Sequence, residues 1–383
     1  MAGRIYLDHN ATTPLHEEVV EACTRAWGAC FGNPSSTHFE GAAARAELER
    51  ARVRVASLVG ADPTEIVFTS GATESNNLAL QGALSLSRAT GHLVTSRAEH
   101  PSVLEPADFL ERAGAKVTRL PVDAWGQLDP AVVGAAVESD ATLVSVLWAN
   151  NETGVLQPLA EIAQRVKARG ALLHVDATQA LGKIPVRVDT LPVDLLSGSA
   201  HKLNGPKGAG FLFVRRGVEL EAFLRGGPQE RRRRGGTENV VGLVGLGIAC
   251  ELAARELPER ARGMARLRDR LWDGLCAKLR SLRRNGSASD VLPNTLNVCF
   301  EGAPGEILLE ALDLEGVSVS AGAACHSGST VASHVLLAMG LSPEQARASL
   351  RFSVGYGVDE TQIDRVLALV PTLVERVREA GTT

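Results

Sequence analysis

The chain has 383 residues, 45% of them hydrophobic and 22% charged, with a formal net charge of −4. That length exceeds what one core serves, so two domains are expected, and the charge balance offers no bulk attraction for nucleic acid. Six cysteines scattered without CxxC pairing exclude a zinc site or disulfide framework, and no secretory leader or membrane-length apolar run is read, so a reduced, cytoplasmic protein is expected.

The opening IYLDHNATTPL reads as extended, with a helix starting after Thr13-Pro14. FGNPSSTHFEG is a loop, and residues 42–58 carry apolar positions at helical spacing. Strands then recur at 66–68, 93–94, 117–120, 143–147 and 172–175, with helices at 72–84, 101–112, 130–137 and 159–168 between them. Near-continuous apolar strands alternating with helices predict an α/β layer around a mostly parallel sheet, with ligands at the strand C-terminal ends. After Thr237 a long helix is expected to about residue 282, bridging to a small α+β domain. That domain has strands at 296–300, 317–319 and 350–354, helices at 306–314 and 359–380, and a contribution from the first dozen residues.

DLLSGSAHKLNGPKGAG reads as a buried strand, a turn that presents a lysine, and a returning strand. Lys202 is one of only six lysines, the others being Lys116, Lys167, Lys183, Lys207 and Lys278. A lysine among small residues at a strand end suits Schiff-base chemistry, although an exposed turn lysine would read alike. Thr69-Ser70-Gly71-Ala72-Thr73-Glu74 lies between a strand and a helix, where free N–H groups hold a phosphate; a capping box is the plainer reading. Asp176 follows a strand and can hold a proton on a pyridinium nitrogen, or simply cap a helix. Phosphate turn, acid and lysine in one α/β half point jointly to pyridoxal phosphate.

His100 at the same sheet edge can stack on a ring or move a proton, although a lone histidine is more often structural, and the Asn150-Asn151 turn offers amides to a ligand, an ordinary loop being its plainer reading. In SVSAGAACHSGSTVASH, Cys325 stands among Gly, Ala and Ser, the setting of a mobile, reactive thiolate rather than a core cysteine. Arg351, inside an apolar strand, calls for an anion, most simply a carboxylate, although a surface edge strand would read alike. The run Arg231-Arg232-Arg233-Arg234 reads as a solvated loop.

Taken in order, LDHNATTP, SAHKLNGPKGAG and LRFSVG make the chain resemble, almost end to end, the NifS/IscS-type cysteine desulfurases, a class V aminotransferase group of fold type I. The resemblance implies a large cofactor-binding domain over 15–255 with a seven-stranded sheet. A small domain from 1–14 and 256–383 would carry the cysteine loop. It implies Lys202 as the Schiff-base lysine, Asp176 on the ring nitrogen, Gln179 on the ring oxygen and His100 stacked on the ring. Ala72, Thr73, Ser199 and His201 would meet the phosphate, joined by Thr237 from the neighbouring subunit of a homodimer. Asn151 and Arg351 would hold the substrate carboxylate, and Cys325 would carry the persulfide. No metal is implied.

The implied reaction converts L-cysteine to L-alanine, with His100 deprotonating the thiol and the sulfur passing to an acceptor such as an iron–sulfur scaffold. Two departures stand out: the family's GGGQE-type run reads Gly226-Gly227-Pro228-Gln229-Glu230, and Arg232 stands where the family often has glycine. The GAACHS segment also resembles selenocysteine lyases. A lyase of that kind, a transaminase of the same fold, and a non-catalytic sulfur-trafficking scaffold remain as alternatives.

Overall fold

The computed structural model describes residues 3–85, 91–137, 141–321 and 332–380. β1 (Ile5–Tyr6), α1 (Glu17–Ala29) and α2 (Phe39–Val59) come first. Alternation follows through β2 (Ile66–Thr69), α3 (Ala72–Ser85), β3 (His92–Ser96), α4 (Pro101–Arg112), β4 (Lys116–Leu120), α5 (Pro130–Ala136), β5 (Ala141–Leu147), α6 (Leu159–Ala168) and β6 (Leu172–Asp176). β7 (Leu195–Ser199) and β8 (Gly210–Val214) form a return, and α7 (Val240–Lys278) leads to β9 (Leu282–Arg284) and β10 (Thr295–Phe300). The chain ends with α8 (Gly305–Leu314), β11 (Val317–Ser318), α9 (His334–Ala338), α10 (Pro343–Arg347), β12 (Ser349–Ser353) and α11 (Glu360–Ala380).

Seven strands form one sheet in the order β2-β8-β7-β6-β5-β3-β4, parallel except for β8, which runs against both neighbours. β3, β7 and β8 are buried along their whole length, so the few polar residues in them, such as Thr95 and Ser197, are buried as well. The chain passes from β3 out to β4 and returns as β5 on the other side of β3, so strand order reverses there and a crevice opens at the C-terminal ends. Among the described residues, no helix is long and apolar enough to cross a membrane.

Two large apolar cores share α7. Its Leu243, Leu246 and Leu252 join the core that includes Val146, Val175 and Phe211, whereas Leu267, Leu271 and Leu275 pack with Phe300, Phe352 and Val374. Gly247 lets α7 lie against α2, since a Cβ there would come within 2.8 Å of the Ala51 Cα.

Three boundaries differ from expectation. The long helix stops at Lys278, because Leu279 is extended and Ser281 has φ +56°; Leu282–Arg284 then pairs antiparallel with β10. α1 begins at Glu17, capped by His16, because Thr13 is held in an extended segment by the His201 carbonyl. The five-residue helices α9 and α10 are too short to show a periodicity.

The arginine run is a tight left-handed turn, with φ of +43°, +55° and +64° at Glu230, Arg231 and Arg232. Buried Glu230 anchors it, accepting from both Arg52 terminal nitrogens at 2.8 Å and from the Phe68 amide. Arg234 pairs with Glu74 at 2.8 Å. Exposed Arg232 makes no side-chain hydrogen bond among the described residues, so its left-handed backbone costs roughly 1 kcal/mol without return. Arg232→Gly is therefore expected to raise the melting temperature by about 1–2 °C in a thermal scan. A lower melting temperature would mean that the side chain serves a contact.

Candidate active site

A cavity of about 620 Å³ opens at the C-terminal edge of the sheet. Ala72, Thr73, His100, Asn151, Asp176, Gln179, Ser199, His201, Lys202 and Arg351 all line it. Of the site residues expected from sequence, Thr237 is exposed and outside the lining, and Cys325 lies outside the described residues.

The turn after β2 brings the α3 N-terminus to one end. Gly71 there has φ +155°, and a Cβ on Gly210 would come within 2.5 Å of the Gly71 Cα, so two backbones meet without side chains between them. The Ser70 amide donates to Glu74 at 2.9 Å, so the cap comes from inside the helix and leaves Thr73 on the cavity wall. Ser199 and His201 approach from the end of β7. Burial and the positive charges of Lys202, Lys207 and Lys183 push the His201 imidazole down to about 4, so it meets an anion as a neutral ring.

Lys202 closes the short turn after β7. Its Nζ donates to the Asn10 and Ala11 carbonyls at 2.6 and 2.7 Å. The Asn10 carbonyl also accepts from Gln179 Nε2 at 2.9 Å, and its side-chain Oδ1 accepts from Lys183 Nζ at 3.1 Å. Asn10 Nδ2 in turn donates to the Asn151 carbonyl at 3.0 Å. One N-terminal asparagine thus ties together the lysine, the glutamine and the Asn151 turn.

Asp176, at the end of β6, is 6% exposed and forms no ion pair among the described residues. Its oxygens accept from Asn76 Nδ2 at 2.8 Å and the Thr178 amide at 3.0 Å. A buried carboxylate on a cavity wall without a cation suits a cationic ring N–H. Together with a primary amine, a helix N-terminus and two hydroxyls, this donor set fits pyridoxal phosphate.

The polarity of the chain beside it follows from one group. The Ser102 amide donates to His100 Nδ1 at 3.1 Å, so Nδ1 is the acceptor and the neutral ring carries its proton on Nε2. Ser102 Oγ then donates to Nδ1 at 2.8 Å and accepts from Asn76. Burial lowers the His100 pKa, partly opposed by Asp176 and aided by Lys202 and His334. His100 accordingly offers the cavity a donor; deprotonating a thiol, the role expected from sequence, would need the other tautomer.

Glu99 is fully buried, with Ser96 Oγ donating to Oε1 at 2.6 Å and Oε2 without a partner among the described residues. Burial pushes its carboxyl up to about 8, so it is protonated at neutral pH. The folded state keeps a proton that the unfolded chain releases near pH 4. This contribution to stability is therefore complete below that pH and is lost as pH rises through about 8. In Glu99→Gln the loss disappears, so the melting-temperature gap between variant and parent should widen by several degrees from pH 5 to pH 8.5; parallel curves would contradict the assignment.

Arg351, on β12, is 2% exposed. Its Nη2 pairs with Asp8 Oδ1 at 2.6 Å and Nη1 donates to the Asn151 carbonyl at 3.0 Å, while Nε has no partner among the described residues. The expected carboxylate partner is thus partly supplied by the chain itself. Asn150 holds its own turn, accepting from the Glu152 and Thr153 amides, so Asn151 is the asparagine of this pair that reaches the cavity. Ser320 exchanges backbone hydrogen bonds with Arg351, Ser333 donates to Glu152, and His334 lines the cavity. The residues on either side of 322–331 are therefore fastened at the site.

Asn10, Asn76, Ser102 and Lys183 had no role in the sequence reading. Asn10 lies inside the LDHNATTP motif and Ser102 two residues past His100, so local signals existed for those two. Asn76 and Lys183 had none beyond lysine scarcity.

Residues 5–366 match the family described as aminotransferase class-V. The chain is 47% identical over 374 residues to a cysteine desulfurase of Trichormus azollae, covering 98% of this chain and 94% of that one. It is 43% identical over 379 residues to the cysteine desulfurase IscS of Dictyoglomus turgidum, with 99% and 96% coverage. A solved NifS-like protein superposes with a TM-score of 0.92 at 37% identity, over 97% of this chain and all of that one.

Proposed function

This chain belongs to the class-V aminotransferase family, and on that premise we propose that it is a cysteine desulfurase using pyridoxal phosphate. The observation that carries the reading is the single cavity into which Lys202, Asp176, the α3 N-terminus and Arg351 all project. Two separate apolar cores support dividing the chain into a large unit over 15–255 and a small unit from 1–14 and 256–383. The names of the relatives support L-cysteine as substrate and an acceptor protein, such as an iron–sulfur scaffold, as recipient of the sulfur.

The cofactor supplies, when bound, an electron sink for the pair left at the substrate α carbon. Lys202 would provide the amine that tethers it and, when that amine is free, would take the substrate α proton. Asp176 holds a proton on the ring nitrogen, and Gln179 reaches the ring oxygen. Ala72, Thr73, Ser199 and His201 hold the phosphate, with Thr237 serving the partner subunit of a homodimer. His100 packs against the ring and donates from Nε2. Arg351 and Asn151 hold the substrate carboxylate. The Cys325 thiolate bonds to the substrate sulfur as the C–S bond breaks, leaving a persulfide on Cys325 and, after protonation, alanine. A cytoplasmic setting follows from a free thiolate in that role.

The test is mass spectrometry of the loaded enzyme after incubation with cysteine. One added sulfur on the peptide containing Cys325, with alanine released, is expected. Keto acid without bound sulfur would overturn the reading in favour of a transaminase.

A further inference from the structure

Lys183 follows the Gln179 turn and is 5% exposed, yet no salt bridge joins it to a carboxylate among the described residues. Its Nζ donates to Gln179 Oε1 at 2.6 Å and to Asn10 Oδ1 at 3.1 Å. A lysine side chain has donors only or, when neutral, one lone pair besides, so a contact this short requires the glutamine oxygen to face it. The Gln179 NH₂ is then left pointing at the Asn10 carbonyl, 2.9 Å away, which also receives Lys202 Nζ at 2.6 Å. Lys183, Gln179, Asn10 and Lys202 form one network in which the buried amine fixes the sense of the Gln179 amide.

We propose that Lys183 is a positioning residue for the reaction: it locks Gln179 as a donor toward the ring oxygen of the cofactor. The inference rests on the reading of Lys202 as the tethering lysine. An amide free to turn over would present its oxygen to an electron-rich ring oxygen half of the time, raising the basicity there. Loss of the positive charge that Lys183 carries in its protonated form would raise it again, so both effects act in the same direction.

The groups facing the pair are few. His9, Asp8 and Asn10 come from the N-terminal segment, His201 and Lys207 from the turn after β7, Arg351 from β12, and Asp176 and His100 from the ends of β6 and β3. Of the carboxylates, Asp8 is already committed to Arg351 and Asp176 to Asn76 and the Thr178 amide, while Asp359 and Glu360, with Arg260 and Arg266, line a second cavity that both lysines border. Burial, with Lys202 and Arg351 nearby, also lowers the proton affinity of Lys183 itself, so the two amines titrate as a linked pair. This second cavity, of about 400 Å³, lies on the other side of Lys183 and also reaches Lys202, with Arg260 and Asn294 in its wall. Space for a rearranged side chain is therefore available, and Lys183→Met need not unfold the core.

The test is a pH titration of the absorbance of the enzyme loaded with pyridoxal phosphate, for the parent, Lys183→Met and Lys183→Arg, with melting temperatures measured alongside. The titration midpoint is expected to rise by roughly one pH unit or more in Lys183→Met. It should stay near that of the parent in Lys183→Arg, which keeps both donors and charge. A midpoint unmoved in Lys183→Met while only its melting temperature falls would make Lys183 structural and overturn the proposal, as would equal shifts in both variants. Borohydride reduction of the same samples separates the two layers: no pyridoxyl mass at Lys202 in the parent defeats the functional reading, whereas a pyridoxyl mass with an unmoved midpoint defeats only the role of Lys183.

Discussion

Lys202→Ala is expected to leave a folded protein that neither retains the absorbance of a lysine-bound cofactor nor releases alanine from cysteine. The loss should be at least about 10³-fold, because one amine serves as both tether and base. Folding should survive, since Lys202 is only partly buried and its hydrogen bonds go to the carbonyls of Asn10 and Ala11 rather than to a buried charge. Added primary amines should restore part of the proton transfer and none of the tether. Alanine release at the parental rate in this variant would place the base elsewhere, with Lys183 as the nearest candidate in the network.

Cys325→Ala separates sulfur capture from what precedes it. Cofactor binding and its absorbance should match the parent, because the residues assigned to the phosphate and ring come from α3, the ends of β3, β6 and β7, and the turn after β7. Turnover of cysteine should fall by roughly 10² or more, and no sulfur should remain on the protein. The same variant assayed with selenocysteine decides between the two closest readings. Selenium released at an undiminished rate together with lost cysteine turnover is expected of a cysteine desulfurase that tolerates the heavier atom. Intact turnover of cysteine would remove the persulfide from the mechanism and favour a lyase.

Much of this site was legible because its parts are local. The parallel sheet showed in runs such as residues 143–147 and 172–175, which are mostly apolar because both faces of the strands are covered, with only the buried Ser145 and His174 breaking them. Lys202 stood out through scarcity, and Asp176 through its place directly after such a run. What escaped is what depends on distant partners. Lys202 and Asn10 are 192 positions apart, and although Asn10 lies inside a motif, nothing in that motif announces that it will receive four side chains. β9 escaped, the long helix being carried to about residue 282, because Leu282–Arg284 gains its strand character only by pairing with β10. The tautomer of His100 was likewise invisible, since it is set by a backbone amide at the start of α4. Arg232, placed where glycine is common in the family, folds into a left-handed turn because the Glu230 and Arg234 ion pairs on either side outweigh its strain.

The account rests most heavily on the covalent use of one amine, and reduction tests that directly. Borohydride treatment of the pyridoxal-phosphate-loaded enzyme, followed by proteolysis and peptide mass spectrometry, should give a single pyridoxyl adduct on the peptide containing Lys202. An adduct confined to another lysine, or none at all, would contradict it.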